Sequence, residues 1–150
     1  MKVRLIPICA VAIVSVLLVG CSPSTEAPEL EFMQDATSEL TCEMFQEQPH
    51  QSGDIVLGAD GTLTVILCSN QTTGFQWSES PQISDTSILR QVDHEFVPPE
   101  DVNIVGGAGK EVFTFETLNK GVSTISFEYS RPWEGGEKAE WTFELEVHAR

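Results

Sequence analysis

Basic residues are scarce in this chain: eight Lys and Arg stand against 23 Asp and Glu, a formal net charge of −15 over 150 residues. A nucleic-acid binder neutralises phosphates with Lys and Arg, so the deficit excludes that class of partner. It identifies no other partner, because an acidic surface also simply keeps a protein soluble. Histidine and cysteine are sparse too, at three and four residues, in spacings that match none of the usual zinc sites, so no metal is expected. There is no Gly-x-Ser-x-Gly elbow, and His50, His94 and His148 have no nucleophile and orienting acid arranged around them as a triad requires. Val105-Gly106-Gly107-Ala108-Gly109-Lys110 invites a phosphate-loop reading, but its glycine spacing is wrong and neither Ser, Thr nor a helix follows Lys110. These absences argue against an enzyme and against a cofactor.

Long apolar runs are also missing, with one exception. Leu5 to Val19 is nearly unbroken, yet it falls short of the roughly 18–20 residues that span a bilayer. Behind the basic start Met1-Lys2-Val3-Arg4 it reads as a secretory signal. Its end, Leu18-Val19-Gly20-Cys21, resembles the lipobox of bacterial lipoproteins, in which the cysteine is lipidated and becomes the new N-terminus. An ordinary signal peptide cut nearby is the alternative; a cysteine directly after a small residue at the end of the run favours the lipobox. The expectation is therefore a lipoprotein signal peptide over 1–20 and an exported domain, lipid-anchored through Cys21 on the exterior face of the cell envelope. Losing the leader removes Lys2 and Arg4 and no acid, which moves the charge from −15 to −17. Cys42 and Cys68 then remain, and in an oxidising compartment they suggest one disulfide. Two free buried thiols are the other possibility.

Residues 21–39 carry Pro23, Pro28, several Ser and Thr residues and four glutamates, too few apolar groups for a core. They read as a flexible tether with an r.m.s. span of roughly 25 Å. From Leu40 the apolar period becomes two, and residues 40–150 are expected to form the folded domain. Leu40 to Phe45, Asp54 to Leu57, Thr62 to Leu67, Phe75 to Ser78 and Ile88 to Phe96 are candidate strands. Glu111 to Leu118, Val122 to Tyr129 and Glu140 to His148 alternate more strongly; Trp141, Phe143, Leu145 and Val147 share one face of the last. Half-buried antiparallel strands produce this alternation. No convincing amphipathic helix is present, only a possible single turn at Asp85 to Leu89. Many short strands with turn signals between them indicate an all-β sandwich.

Three stretches interrupt the strand pattern. Ser69-Asn70-Gln71-Thr72-Thr73-Gly74 places polar turn residues between two strands, where a projecting loop is a usual binding surface. Val105 to Lys110 is glycine-rich. Ser130-Arg131-Pro132-Trp133-Glu134-Gly135-Gly136 sets an indole off any alternating face, either folded over a sheet edge or exposed as an anchor beside Arg131. In order and spacing, the loop at 70–75, the glycine-rich loop leading into Val112-Phe113-Thr114-Phe115, and Tyr129-Ser130-Arg131-Pro132-Trp133-Glu134 resemble the chagasin-like inhibitors of papain-like cysteine peptidases. The resemblance covers about residues 53–148.

It implies an immunoglobulin-like Greek-key β-sandwich, monomeric, whose three loops enter the peptidase cleft and block it reversibly and competitively. Thr72, Thr73 and Gly74 would form the centre of that wedge, in a loop stiffened by Asn70, with Gly107, Ala108, Gly109 and Lys110 on one side and Arg131, Pro132 and Trp133 on the other. Two positions depart from the family pattern: Gln71 stands in place of the usual Pro, and Phe75 in place of Tyr. Without the fixed φ of proline the central loop is expected to be less preorganised and binding weaker. The alternative function is a cell-envelope lipoprotein binding module of the same fold without peptidase inhibition.

Overall fold

The computed structural model describes residues 33–99 and 106–150. The expected signal peptide, Cys21 and most of the tether lie outside them. Nine strands run β1 (Asp35–Leu40), β2 (His50–Leu57), β3 (Thr62–Ser69), β4 (Gln76–Trp77), β5 (Gln82–Ile83), β6 (Leu89–Val97), β7 (Gly109–Thr117), β8 (Gly121–Ser130) and β9 (Trp141–Ala149), with one short helix, α1 (Cys42–Glu47). They form two sheets, β1-β3-β7-β6 and β2-β9-β8-β4, with β5 also on β8.

The inward residues of β3, β7, β8 and β9 build the core. Leu63, Val65 and Leu67 of β3 face Phe113 and Phe115 of β7; Ile125, Phe127 and Tyr129 of β8 lie beside Phe143, Leu145 and Val147 of β9. The sheets meet through edge-on aromatic contacts, Phe113 to Phe127 at 5.1 Å and Phe115 to Phe127 at 6.0 Å between centroids. Trp77, 1% exposed, closes one end of this core and donates its indole N–H to the Cys68 carbonyl at 2.9 Å. A buried indole that keeps its hydrogen bond contributes area without a desolvation penalty.

Two expectations fail at the N-terminal side. The tether does not reach Glu39, because Asp35–Leu40 already pairs with β3, from Asp35 opposite Thr62 to Leu40 opposite Leu67. Of its inward residues Ala36, Ser38 and Leu40 only Leu40 is buried, so main-chain pairing more than side-chain burial holds this edge strand. The expected strand Leu40 to Phe45 is instead the end of β1 followed by α1. Thr41 caps that helix, accepting from the Met44 N–H at 3.4 Å, and Phe45 is fully buried in the core. The sheets are also mixed: β1 runs parallel to β3 and β2 parallel to β9, while every other pairing is antiparallel. Carrying the chain from β1 in one sheet to β2 in the other is the work of α1. Cys42 and Cys68 are joined by a disulfide, Cα–Cα 5.1 Å, which fastens α1 to the end of β3.

Candidate functional site

Strand β3 ends at Ser69, and β7 begins opposite it at Gly109. Strand β8 ends at Ser130, opposite Gln76 of β4. These registers bring the loops after β3, before β7 and after β8 to the same pole of the sandwich.

The central loop is a 3-10 turn over Gln71–Thr73. Asn70 holds it from below: its Oδ1 accepts from the Thr72 N–H at 3.2 Å and from the Thr72 hydroxyl at 2.6 Å, and its carbonyl accepts from the Thr73 N–H and hydroxyl. Its backbone N–H donates to the Tyr129 hydroxyl at 2.9 Å, and that hydroxyl donates back to the Asn70 carbonyl at 3.2 Å. Gly74 closes the turn at φ +80°, a conformation that a side chain makes costly. Thr72 and Thr73 are left exposed at the tip.

Both neighbouring loops touch this one. The Asn70 side-chain amide donates to the Gly106 carbonyl at 3.0 Å, and a Cβ added to Gly106 would stand 3.9 Å from the Thr72 hydroxyl. On the other flank the Trp133 indole lies over Gly74 so closely that a Cβ there would meet its Cη2 at 2.7 Å. Trp133 nevertheless remains 52% exposed. It is therefore both folded onto a neighbour and presented to solvent. Gly136 N–H closes a turn onto the Trp133 carbonyl at 3.1 Å, and the Arg131 N–H donates to the Glu137 carbonyl at 2.8 Å, so the loop has its own hydrogen-bond frame.

A stack of flat groups joins this flank to the core. Trp141 stacks on Tyr129 at 4.7 Å, Tyr129 on Phe75 at 5.5 Å, and the Arg131 guanidinium lies 4.4 Å from the Phe75 ring and 5.9 Å from Trp133. Cation–π contacts of this kind hold Arg131 in place while its neighbour Pro132 stays exposed.

Asn70, Thr72, Thr73, Gly74, Arg131 and Trp133 thus stand together, with Gly107 and Ala108 in the adjoining loop. Gly109 and Lys110 do not join them as loop residues. Both belong to β7: Gly109 is buried beneath Phe96, and Lys110 is ion-paired to Glu39 of β1 at 2.6 Å. The alternation of β7 starts two residues earlier than the aromatic pattern alone suggests. Three contributors were not anticipated from sequence: Tyr129 as the brace of Asn70, Phe75 as the platform for Arg131, and Glu111, a 2% exposed carboxylate beneath the central loop. Parity along β7 carries the signal for the last, since Glu111 shares the register of Phe113 and Phe115. Among the described residues no His, Cys, Asp and Glu side chains gather as a metal site. No helix among them is long and apolar enough to cross a membrane.

Residues 57–147 match the model of a family described as chagasin family peptidase inhibitor I42. Solved structures share the fold. That of the cysteine protease inhibitor EhICP2 from Entamoeba histolytica is 23% identical, over 77% of this chain and 97% of that one, with a TM-score of 0.58. The solution structure of amebosin is 23% identical over 75% and 96%, with a TM-score of 0.50. PbICP-C, solved in complex with falcipain-2, is 14% identical over 75% and 99%, with a TM-score of 0.55. No curated protein matches the sequence.

Proposed function

The chain belongs to the chagasin family of peptidase inhibitors, and from that premise we propose that it inhibits papain-like cysteine peptidases reversibly and competitively, with three loops entering the active-site cleft. The observation that carries this reading is the contact of all three loops: Asn70 bonded to Gly106 on one side and Gly74 covered by Trp133 on the other. A convex tip of small residues suits a narrow cleft. Thr72 and Gly74 bring backbone into it without bulk, and with no scissile bond in the attack position the tip blocks the site without being turned over. Trp133 and Arg131 supply contact area on one wall, and the hydrogen bonds behind Asn70 reduce what must be ordered on binding. Gly107 and Ala108 would line the opposite wall. PbICP-C, of the same fold, is known in complex with falcipain-2, which supports a peptidase as partner.

The proposal extends to location. Cys21 would carry the lipid that anchors an exported monomer to the cell envelope, and the Cys42–Cys68 disulfide suits a compartment outside the cytoplasm.

The test is a papain assay with the soluble domain and two variants. Competitive, reversible inhibition below micromolar concentration is expected of the native domain. Thr72→Trp should abolish it by filling the tip. Trp133→Ala should weaken it by about 2 kcal/mol, the scale of an aromatic hot spot, while the thermal midpoint stays near the native value. Full papain activity at micromolar native domain would sink the proposal.

A further inference from the structure

Beneath the central loop lies a polar group that the inhibitory reading leaves unused. Glu111 is 2% exposed, on the inward face of β7 where its neighbours in register are aromatic. Burying a carboxylate is costly unless its oxygens are satisfied. Here they are: Oε1 accepts from the Ser69 hydroxyl at 3.1 Å and from the Gln71 side-chain amide at 3.4 Å, and Oε2 lies 2.6 Å from Nε2 of His94. His94 comes from β6, and its ring stacks on Phe113 at 4.4 Å. Ser69 and Gln71 flank Asn70. The carboxylate therefore grips the central loop on both sides of its capping residue while β6 holds the carboxylate.

We propose that Glu111 and Gln71 form a latch that positions the inhibitory tip, the Gln71 amide reaching down to the buried carboxylate and so fixing the first residue of the turn. The role of the tip rests on the inhibitor reading; the latch itself rests on geometry. It answers the expectation that a chain with Gln71 in place of proline has a looser loop. A proline ring restrains that residue through its own φ, whereas Gln71 is restrained through its side chain. The two devices are interchangeable at this position. Gln71 is the first residue of the 3-10 turn, and among the described residues no backbone carbonyl accepts from its N–H. Asn70, at φ −120° and ψ 88°, lies outside the helical region that a following proline disfavours, and a shift of ψ toward the extended range would accommodate the ring. A carboxylate only accepts hydrogen bonds, so the latch needs a donor on residue 71. Glutamate there has the same shape and no donor.

Amide hydrogen exchange at Thr72, Thr73 and Gly74 in the free domain reads the order of the turn without any peptidase. Gln71→Ala should speed exchange about fivefold, the effect of one lost hydrogen bond. Gln71→Glu, which sets two carboxylates against each other, should speed it further, by about tenfold or more. Gln71→Pro should return exchange to the native rate. Inhibition constants for papain should follow the same order for the Ala and Pro variants. These variants alter an exposed residue and leave Ser69, His94 and Glu111 in place, so the fold is not at risk. Native exchange rates in both Gln71→Ala and Gln71→Glu would overturn the latch, as would a Pro variant exchanging no slower than Ala. Exchange that follows the predicted order in a domain that fails to inhibit papain would uphold the latch and remove the inhibitor reading instead.

Discussion

Gly74 shows how a single residue serves both the shape of the loop and its neighbour. At φ +80° it adopts the left-handed conformation that costs an ordinary residue about 1 kcal/mol or more. The space where a Cβ would go is taken by Trp133, whose Cη2 would lie 2.7 Å from it. Gly74→Ala should therefore lower stability by about 1 kcal/mol in urea denaturation and swing the indole off the loop, weakening inhibition more than the stability loss explains. Unchanged inhibition would mean that the position of Trp133 over Gly74 does not matter to binding. At this scale the sequence was legible where a residue type has one use: Asn70 as the cap of its own turn, Gly74 for its positive φ, Trp133 as an aromatic off the strand register. It was not legible for Glu111. A glutamate at the head of a strand reads as solvated until the partner of each oxygen is known, and those partners come from residues 17 to 42 positions away.

Among the elements, β3, β7, β8 and β9 were readable because each buries alternate large apolar side chains, the pattern that alternation detects. Strand β1 and helix α1 escaped for opposite reasons. Asp35–Leu40 is held by its backbone, leaving little pattern in its side chains, and Cys42–Glu47 buries only Phe45, too few residues to show a helical period. What fixes α1 is tertiary. Phe45 stacks on Trp141 at 5.1 Å and lies 5.3 Å from Trp77, and Cys42 is bonded to Cys68 one residue before Ser69. The disulfide closes a 26-residue separation, for which loss of the cross-link costs about 3 kcal/mol in the chain-entropy account. Replacing both cysteines by Ala should lower the urea midpoint and raise the slope of the transition, because the unfolded chain is no longer held compact, with inhibition by the folded domain nearly intact. The Asn70–Tyr129 bonds, not the disulfide, orient the tip directly. Equal midpoints for the native and double-alanine domains would show that α1 is held by Phe45 alone.

For the molecule as a whole, the two poles of the sandwich are occupied differently. The loops proposed to inhibit lie at one pole, two of them following Ser69 and Ser130. At the other, the incoming chain is fastened where β3 begins, the Gln34 carbonyl accepting from the Thr62 N–H at 2.6 Å and the Met33 carbonyl from the Gly58 N–H at 2.9 Å. The chain leaves there too, with the Arg150 N–H donating to the Leu57 carbonyl at 2.9 Å. Eight residues of β3 separate the poles, about 26 Å at strand rise. On the proposal that Cys21 carries lipid, the membrane would lie beyond the pole where Met33 and Gln34 enter, and the tip would face away from it. If the leader is lost as proposed, the resulting net charge of −17 would keep the domain off an anionic bilayer as well. Full-length lipidated protein on anionic vesicles should then inhibit soluble papain with the same constant as the free domain, and deleting residues 24–31 should leave that constant unchanged, because the reach to the peptidase comes from the sandwich rather than the tether. If anchoring alone weakened inhibition tenfold, the loops would be turned toward the lipid and the pole-to-pole arrangement would have no part in presenting them.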